Sequence, residues 1–173
     1  MNYAKSSEIL EKINGVDRIL INCHRNPDPD SIGSALALFN VLSKIGKEVE
    51  IICPTKPYLP TLGFLKNYEK IKTVNFSKFD FSKHQLLIIL DSSSWDVVAD
   101  SHEFAPPKIP VAVIDHHRTN KKFGDINLVD ESVTSTGELL FQVFEDWGVA
   151  IDREIATALL TGIIGDTGTF SYP

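Results

Sequence analysis

Sulfur is scarce: the 173 residues include two cysteines, Cys23 and Cys53, and one methionine. Two cysteines cannot make a structural zinc site, which takes three or four Cys/His ligands in close pairs. Each follows a short apolar run, so both are expected as buried, reduced thiols at strand ends. Long apolar runs are also missing; none approaches the ~20 residues that span a bilayer. Residues 1–12 are mixed and polar, unlike an export signal. The expected address is therefore the cytoplasm, with no membrane partner. Cations are not in excess: 17 Lys and Arg stand against 23 Asp and Glu, a formal net charge of −6. Tight, sequence-independent binding of long duplex nucleic acid needs a basic stripe and is excluded. A metal enzyme is not, because two divalent cations, +4 in all, bring −6 to −2. No G-x-G-x-x-G follows the first strand pattern, which removes a dinucleotide-cofactor domain.

What is present is an alternation of apolar runs and helical patterns. Residues 18–23 (RILINC), 49–52, 86–90 (LLIIL) and 111–114 (VAVI) read as strands, and 71–74 as a short fifth. Residues 2–13 read as an amphipathic helix. Over 31–45, Ile32, Ala35, Leu36, Phe39 and Leu42 recur at helical spacing before the stop signal Gly46. A short helix is expected near 62–67. Ser135-Thr136-Gly137-Glu138 is a capping box opening a helix that Gly148 ends. Asp152 caps a last, nearly apolar helix running into Gly165-Asp166. Continuous apolar strands between helices predict an α/β fold: a doubly wound, mostly parallel sheet of about five strands. Helices should cover both faces, crossovers should be right-handed, and the first strand should lie near the middle.

The acids and histidines fall at one kind of place. His24, Asp28 and Asp30 follow the first strand, Asp91 follows LLIIL without a gap, and Asp115-His116-His117 follow VAVI without a gap. Ligands of open α/β sheets bind beyond the carboxyl ends of the strands, where strand order reverses. Asp166, at the end of the last helix, is a further candidate. So many carboxylates in one crevice repel each other unless a cation sits among them. Oxygen and imidazole donors without thiolate suit Mn²⁺, with Mg²⁺ or Co²⁺ as alternatives. The donors exceed the needs of one ion, so two are expected. Taken alone, Asp30 before Ser31 reads as a helix cap. His84 and His102 lie in polar surroundings and read as surface residues.

The run His24-Arg25-Asn26-Pro27-Asp28-Pro29-Asp30, then Ser31-Ile32-Gly33-Ser34, resembles the first motif of the DHH phosphoesterase superfamily. Asp91 resembles the second, Asp115-His116-His117 the third and Gly165-Asp166-Thr167-Gly168 the fourth, so positions 24–168 are covered. The stretch Phe123-Gly124-Asp125-Ile126-Asn127-Leu128-Val129, with Ser135-Thr136-Gly137-Glu138 and Asp166-Thr167-Gly168-Thr169-Phe170, is most similar to the nanoRNase branch. The resemblance implies two-metal hydrolysis of phosphate esters in small nucleotides: short oligoribonucleotides and phosphoadenosine phosphate (pAp). It implies a ligand set too. His24, Asp28 and Asp91 would hold one ion; Asp30, Asp91, His116 and Asp166 the other; Asp91 would bridge them. His117 would serve as proton donor or phosphate contact, and Asp115 would orient a ligand histidine through its other ring nitrogen.

Two departures stand out. Pro29 replaces the usual small residue between the first-motif aspartates, and Ser92-Ser93-Ser94-Trp95-Asp96 after Asp91 lacks an Arg that relatives often carry. Relatives also have a second, C-terminal substrate-binding domain. Residues 1–173 are therefore expected to be the catalytic domain alone, able to hold metal but slow on pAp or a dinucleotide. Arg25 and Arg118 are the basic residues placed nearest the motifs. Partners expected are a small nucleotide or short single-stranded RNA or DNA, with a homodimer left open. The alternatives are a manganese-dependent inorganic pyrophosphatase and a non-catalytic metal-binding module.

Overall fold

The computed structural model describes residues 3–57, 59–101 and 104–171. Six strands form one sheet: β1 (Arg18–Asn22), β2 (Glu48–Cys53), β3 (Ile71–Thr73), β4 (Leu86–Leu90), β5 (Val111–Asp115) and β6 (Ile126–Val129). Every pairing is parallel and the order is β3-β2-β1-β4-β5-β6. The first strand is central, as expected. The order reverses between β1 and β4, which opens a crevice at their carboxyl ends. Strands β4 and β5 are buried along their whole length, as unbroken Leu/Ile/Val runs require in a sheet covered on both sides.

The two faces are covered differently. One carries α1 (Ala4–Asn14), α2 (Pro29–Lys44), α4 (Thr136–Asp146) and α5 (Arg153–Asp166). Their apolar sides pack with Ile19, Ile21, Ile51, Ile88, Leu90 and Ile114 in the main core. Among the described residues, the other face holds the five-residue α3 (Trp95–Ala99), with 3₁₀ turns and loops. There Leu20, Ile52, Leu87, Ile89 and Val113 meet Phe76, Phe81 and Val98 in a second core, rimmed by Trp95, Phe104 and Phe123. The aromatic rings pack edge-on or tilted, as Trp95–Phe123 does at 5.2 Å between centroids, an arrangement their quadrupoles favour. Helices thus lie on both faces, as expected, but unequally: four long ones on one face, and the short α3 among aromatic loops on the other.

Three elements depart from expectation. The short helix near 62–67 is replaced by 3₁₀ turns at Pro60–Leu62 and Tyr68–Lys70; Asn67 is left-handed (φ 67°), which a helix cannot carry through. Strand β6 was not expected. It has four residues, and only Ile126 and Leu128 face the core, too short a pattern to declare itself. Helix α2 begins at Pro29, two residues before the expected start. Proline suits the first helical position because its missing N–H has no partner there anyway.

Helix α5 lies against α2 and α4, and the approach is close. A β-carbon on Gly33 would stand 2.4 Å from the carbonyl oxygen of Ala158 and 3.0 Å from the nitrogen of Gly162. Backbone must shift to admit it. We expect Gly33→Ala to destabilise the fold by ~1–3 kcal/mol through overpacking, despite the ~1 kcal/mol of helix propensity that alanine gains over glycine. Denaturant titration of the two proteins measures the difference; a stabilised variant would show that α5 does not sit this close.

Candidate metal centre

Strand register aims the polar residues. Asn22 is opposite Ile89 and Leu90 is opposite Ile114. Continuing each register brings His24 beside Asp91 and Asp91 beside Asp115. Each of these three strands thus delivers a polar residue at or just past its carboxyl end to the same crevice.

After β1 the chain turns through Asn26 (φ 49°) and enters α2. Asp28 is the N-cap: its backbone is extended, as the following proline demands, and its Oδ1 accepts the N–H of Ser31 at 2.9 Å. Its Oδ2 faces His24 Nε2 at 3.7 Å. Asp30, which read as the cap, lies inside the first turn and is buried. It reaches another helix: Oδ2 accepts the N–H of Thr136 at 2.7 Å and Oδ1 that of Gly137 at 2.9 Å. The positive end of α4 suits a carboxylate there.

Asp91 is the hub. It is buried and left-handed (φ 55°). Its Oδ2 is 3.3 Å from His24 Nε2, while its Oδ1 is 3.6 Å from His116 Nε2 and accepts the Thr136 hydroxyl at 3.1 Å. Asp166 Oδ2 approaches His116 Nε2 at 3.4 Å from the end of α5. Donor atoms of His24, Asp28 and Asp91, and those of Asp30, His116 and Asp166, lie within 4.8 Å of one another in each trio. Asp91, His116 and His117 form a third such group. There, however, His117 Nδ1 is already committed to Asp115 at 2.7 Å.

The protonation energetics are those of crowded charge. Burial, and then the neighbouring Asp91 carboxylate, push Asp30 well above the carboxylate range, against the N–H groups of Gly137 and Thr136. Burial raises Asp166 too, with His116 opposing and Asp91 reinforcing. Burial pulls His24 down, but Asp28 and Asp91 outweigh it and hold the ring at about 10. Without a metal the cluster is thus balanced by protons, which a bound cation must displace.

The residues fit divalent cations. The buried His116 Nε2 has no hydrogen-bond partner, although two carboxylate oxygens stand near it. An unpartnered buried ring nitrogen aimed at carboxylates is what an ion between them would satisfy. The donors are oxygen and imidazole, the set that suits Mn²⁺ and Mg²⁺. Both thiols stay out of the donor set: Cys23 and Cys53 are free and buried, as expected from the sequence.

Asp115 orients a histidine, but not one of the two expected in the ligand set. Its Oδ1 accepts His117 Nδ1–H, and its Oδ2 accepts the Asn120 side-chain amide at 2.6 Å. His117 itself is half exposed, with its ring 4.5 Å from that of His116. Arg25 pairs with Asp100 at 3.5 Å, and the well-exposed Arg118 with Glu131 at 3.3 Å. His84 is not a free surface residue; it stacks on Phe79 and meets Glu50 Oε2 at 3.1 Å. His102 lies outside the described residues. Sequence reasoning missed Thr136, whose partners are 106 and 45 positions away, and Asn120, which bridges Asp115 and the Ser92 carbonyl.

A parallel sheet that gathers carboxylates and imidazoles from three strand ends into its switch-point crevice defines an α/β domain with a candidate metal centre at its carboxyl edge. The chain belongs to the DHH family: that family's N-terminal domain matches residues 18–163. A bifunctional oligoribonuclease and PAP phosphatase NrnA from Thermus thermophilus is 33% identical over 96% of this chain and 48% of its own length. The protein of that name from Bacillus subtilis is 27% identical over 96% of this chain and 51% of its own. The chain therefore spans about half the length of the curated relatives it matches. An exopolyphosphatase-related protein from Bacteroides fragilis superposes with a TM-score of 0.88 at 26% identity, over 98% of this chain and 52% of that one. No helix among the described residues is long and apolar enough to cross a membrane.

Proposed function

We infer that this chain is the catalytic domain of a two-metal phosphoesterase acting on short oligoribonucleotides and on pAp. The observation that carries the reading is Asp91, whose two oxygens face two separate clusters of donors. His24, Asp28 and Asp91 would hold one ion, and Asp30, Asp91, His116 and Asp166 the other. Two divalent ions, Mn²⁺ first, would supply an acidified water and neutralise charge on the phosphoryl oxygens. The substrate class draws on the relatives, whose names pair an oligoribonuclease with a PAP phosphatase activity.

The chain's own residues supply the rest. His117 donates from Nδ1 to Asp115, so Nε2 is left for the substrate side. The Asp115 hydrogen bond raises the ring's pKa and burial opposes it, leaving it at about 9. The ring thus holds a proton at neutral pH and can pass it from Nε2 to a leaving oxygen. Asp115 and Asn120 fix its tautomer and orientation.

The test is a turnover screen with Mn²⁺ over pAp, a ribodinucleotide, a cyclic dinucleotide and pyrophosphate, with and without chelator. We expect Mn²⁺-dependent release of phosphate from pAp and of mononucleotides from the dinucleotide. Preference for pyrophosphate would replace the nucleotide reading by the pyrophosphatase one. Bound Mn²⁺ with no turnover of any of the four would leave a metal-binding module.

A further inference from the structure

The capping box explains Ser135 and Glu138. Ser135 Oγ accepts the N–H of Glu138 at 3.0 Å, and Glu138 Oε2 reaches back to the Thr134 N–H and hydroxyl at 2.7 and 2.6 Å. It does not explain Thr136, which lies between them and is fully buried. An exposed first-turn threonine would spend its hydroxyl on water. Here both polar groups of one residue are spent on two aspartates distant in sequence: the N–H on Asp30 Oδ2 at 2.7 Å and the hydroxyl on Asp91 Oδ1 at 3.1 Å.

The geometry points to Thr136 as the positioning residue of the metal centre, holding Asp30 and Asp91 at a fixed separation and fixing the tilt of the Asp91 carboxylate between the two clusters. The inference rests on the two-metal reading above and deepens it.

An ionised carboxylate has two equivalent oxygens and can only accept. Nothing in Asp91 itself fixes the rotation of that carboxylate between His24 and His116. The Thr136 hydroxyl, donating its one proton to the oxygen on the His116 side, holds the rotation. A tilt of the Asp91 carboxylate would loosen both clusters at once, because both share it. Asp30 is held by a second device on the same helix end. With Ser34 Oγ at 3.2 Å from Oδ1, and the Thr136 and Gly137 N–H groups, it receives three hydrogen bonds. Residue 137 has little room for a side chain there: a β-carbon would lie 3.1 Å from Asp30 Oδ1 and 3.0 Å from the Leu159 carbonyl oxygen. The α4 N-terminus thus acts as one rigid jaw. The capping box fixes it on the solvent side, and Thr136 reads the metal side. Groups of this kind, which orient a ligand without binding the ion, typically change metal affinity ~10–100-fold when removed.

The experiment uses the whole chain with Mn²⁺ alone as probe. Thr136→Val keeps the shape and the backbone N–H and deletes the hydroxyl; Thr136→Ser restores it. Titration with Mn²⁺, followed by the electron paramagnetic resonance of free and bound ion, reads affinity and the magnetic coupling of a close ion pair. We expect the valine variant to melt as wild type does, to bind Mn²⁺ ~10–100-fold more weakly and to lose the coupled signal, with serine recovering both. If valine misfolds, alanine at 136 stands in for it against serine. Wild-type affinity and coupling in a folded variant without the hydroxyl overturn the positioning role while leaving the two-metal reading intact. A wild-type chain that binds no Mn²⁺ removes that reading, and this inference with it.

Discussion

Asp91→Asn is expected to strip both ions: Mn²⁺ content, by elemental analysis after reconstitution and desalting, should fall from about two ions per chain to well under one. Asparagine is the right substitution for reasons the backbone dictates. Position 91 is left-handed (φ 55°), a conformation asparagine tolerates far better than alanine. Its side-chain oxygen can still accept the Thr136 hydroxyl. What it loses is the charge and one of the two oxygens that face His24 and His116. Asp28→Asn is the control. Asparagine caps a helix as well as aspartate does, so the bond to Ser31 survives and only the His24 side is weakened. That variant, and Asp166→Asn, should each retain about one ion. Equal losses across the three would end the bridging role of Asp91.

The same substitution has a second signature without metal. Asp30 titrates above its ordinary range, from burial first and the Asp91 charge next. A carboxyl whose folded pKa is raised costs stability once pH exceeds its unfolded value, because ionisation is then easier in the unfolded chain. Neutralising position 91 relaxes part of that cost but also withdraws one of the two carboxylates that hold His24 charged. With the two effects opposed, Asp91→Asn should change the melting temperature little in chelator at neutral pH, while in Mn²⁺ it should lack the stabilisation that bound metal gives the wild type. An equal loss in both conditions would point to a packing role for Asp91 instead.

Much of this centre is legible in the chain because its strands are so plain. Leu86–Leu90 and Val111–Asp115 are runs that only a doubly covered sheet can bury, so a polar residue directly after either must sit at the carboxyl edge. The division of labour between Asp28 and Asp30 is legible only through Pro29. With proline in the first helical position the cap moves back to Asp28, and Asp30 becomes free to face another helix. Other features leave no local trace. Strand β6 is an edge strand with two buried positions. The second face is covered by aromatic side chains from loops, which follow no period. The partners of Thr136 are 106 and 45 positions away. Its role depends on how α4 meets the sheet, a property of packing that the capping box only half announces.

Replacing His117 by alanine should leave both ions in place and cut turnover ~10²–10⁴-fold, the span of a lost general acid. The structure separates it from its neighbour on three counts. His116 Nε2 is buried among carboxylates without a hydrogen-bond partner. His117 is half exposed, and its Nδ1 is engaged by Asp115, which is itself pinned by Asn120. An imidazole held this way offers Nε2 outward. The Asp115 hydrogen bond and charge favour the protonated ring, which suits a donor to a leaving oxygen. Asp115→Asn tests the same chain one step back. The amide, turned by its pairing with Asn120, can present a donor to Nδ1 in place of an acceptor, so the ring must flip or take the wrong tautomer. We expect a loss of turnover approaching that of His117→Ala, again with metal retained, and little further loss in the double variant because the two residues act as a unit. His116→Ala should behave oppositely and lose metal first. Loss of Mn²⁺ in His117→Ala, with retention in His116→Ala, would exchange the two roles. Full turnover in both Asp115→Asn and His117→Ala would move the proton donor to a group outside the described residues or to solvent.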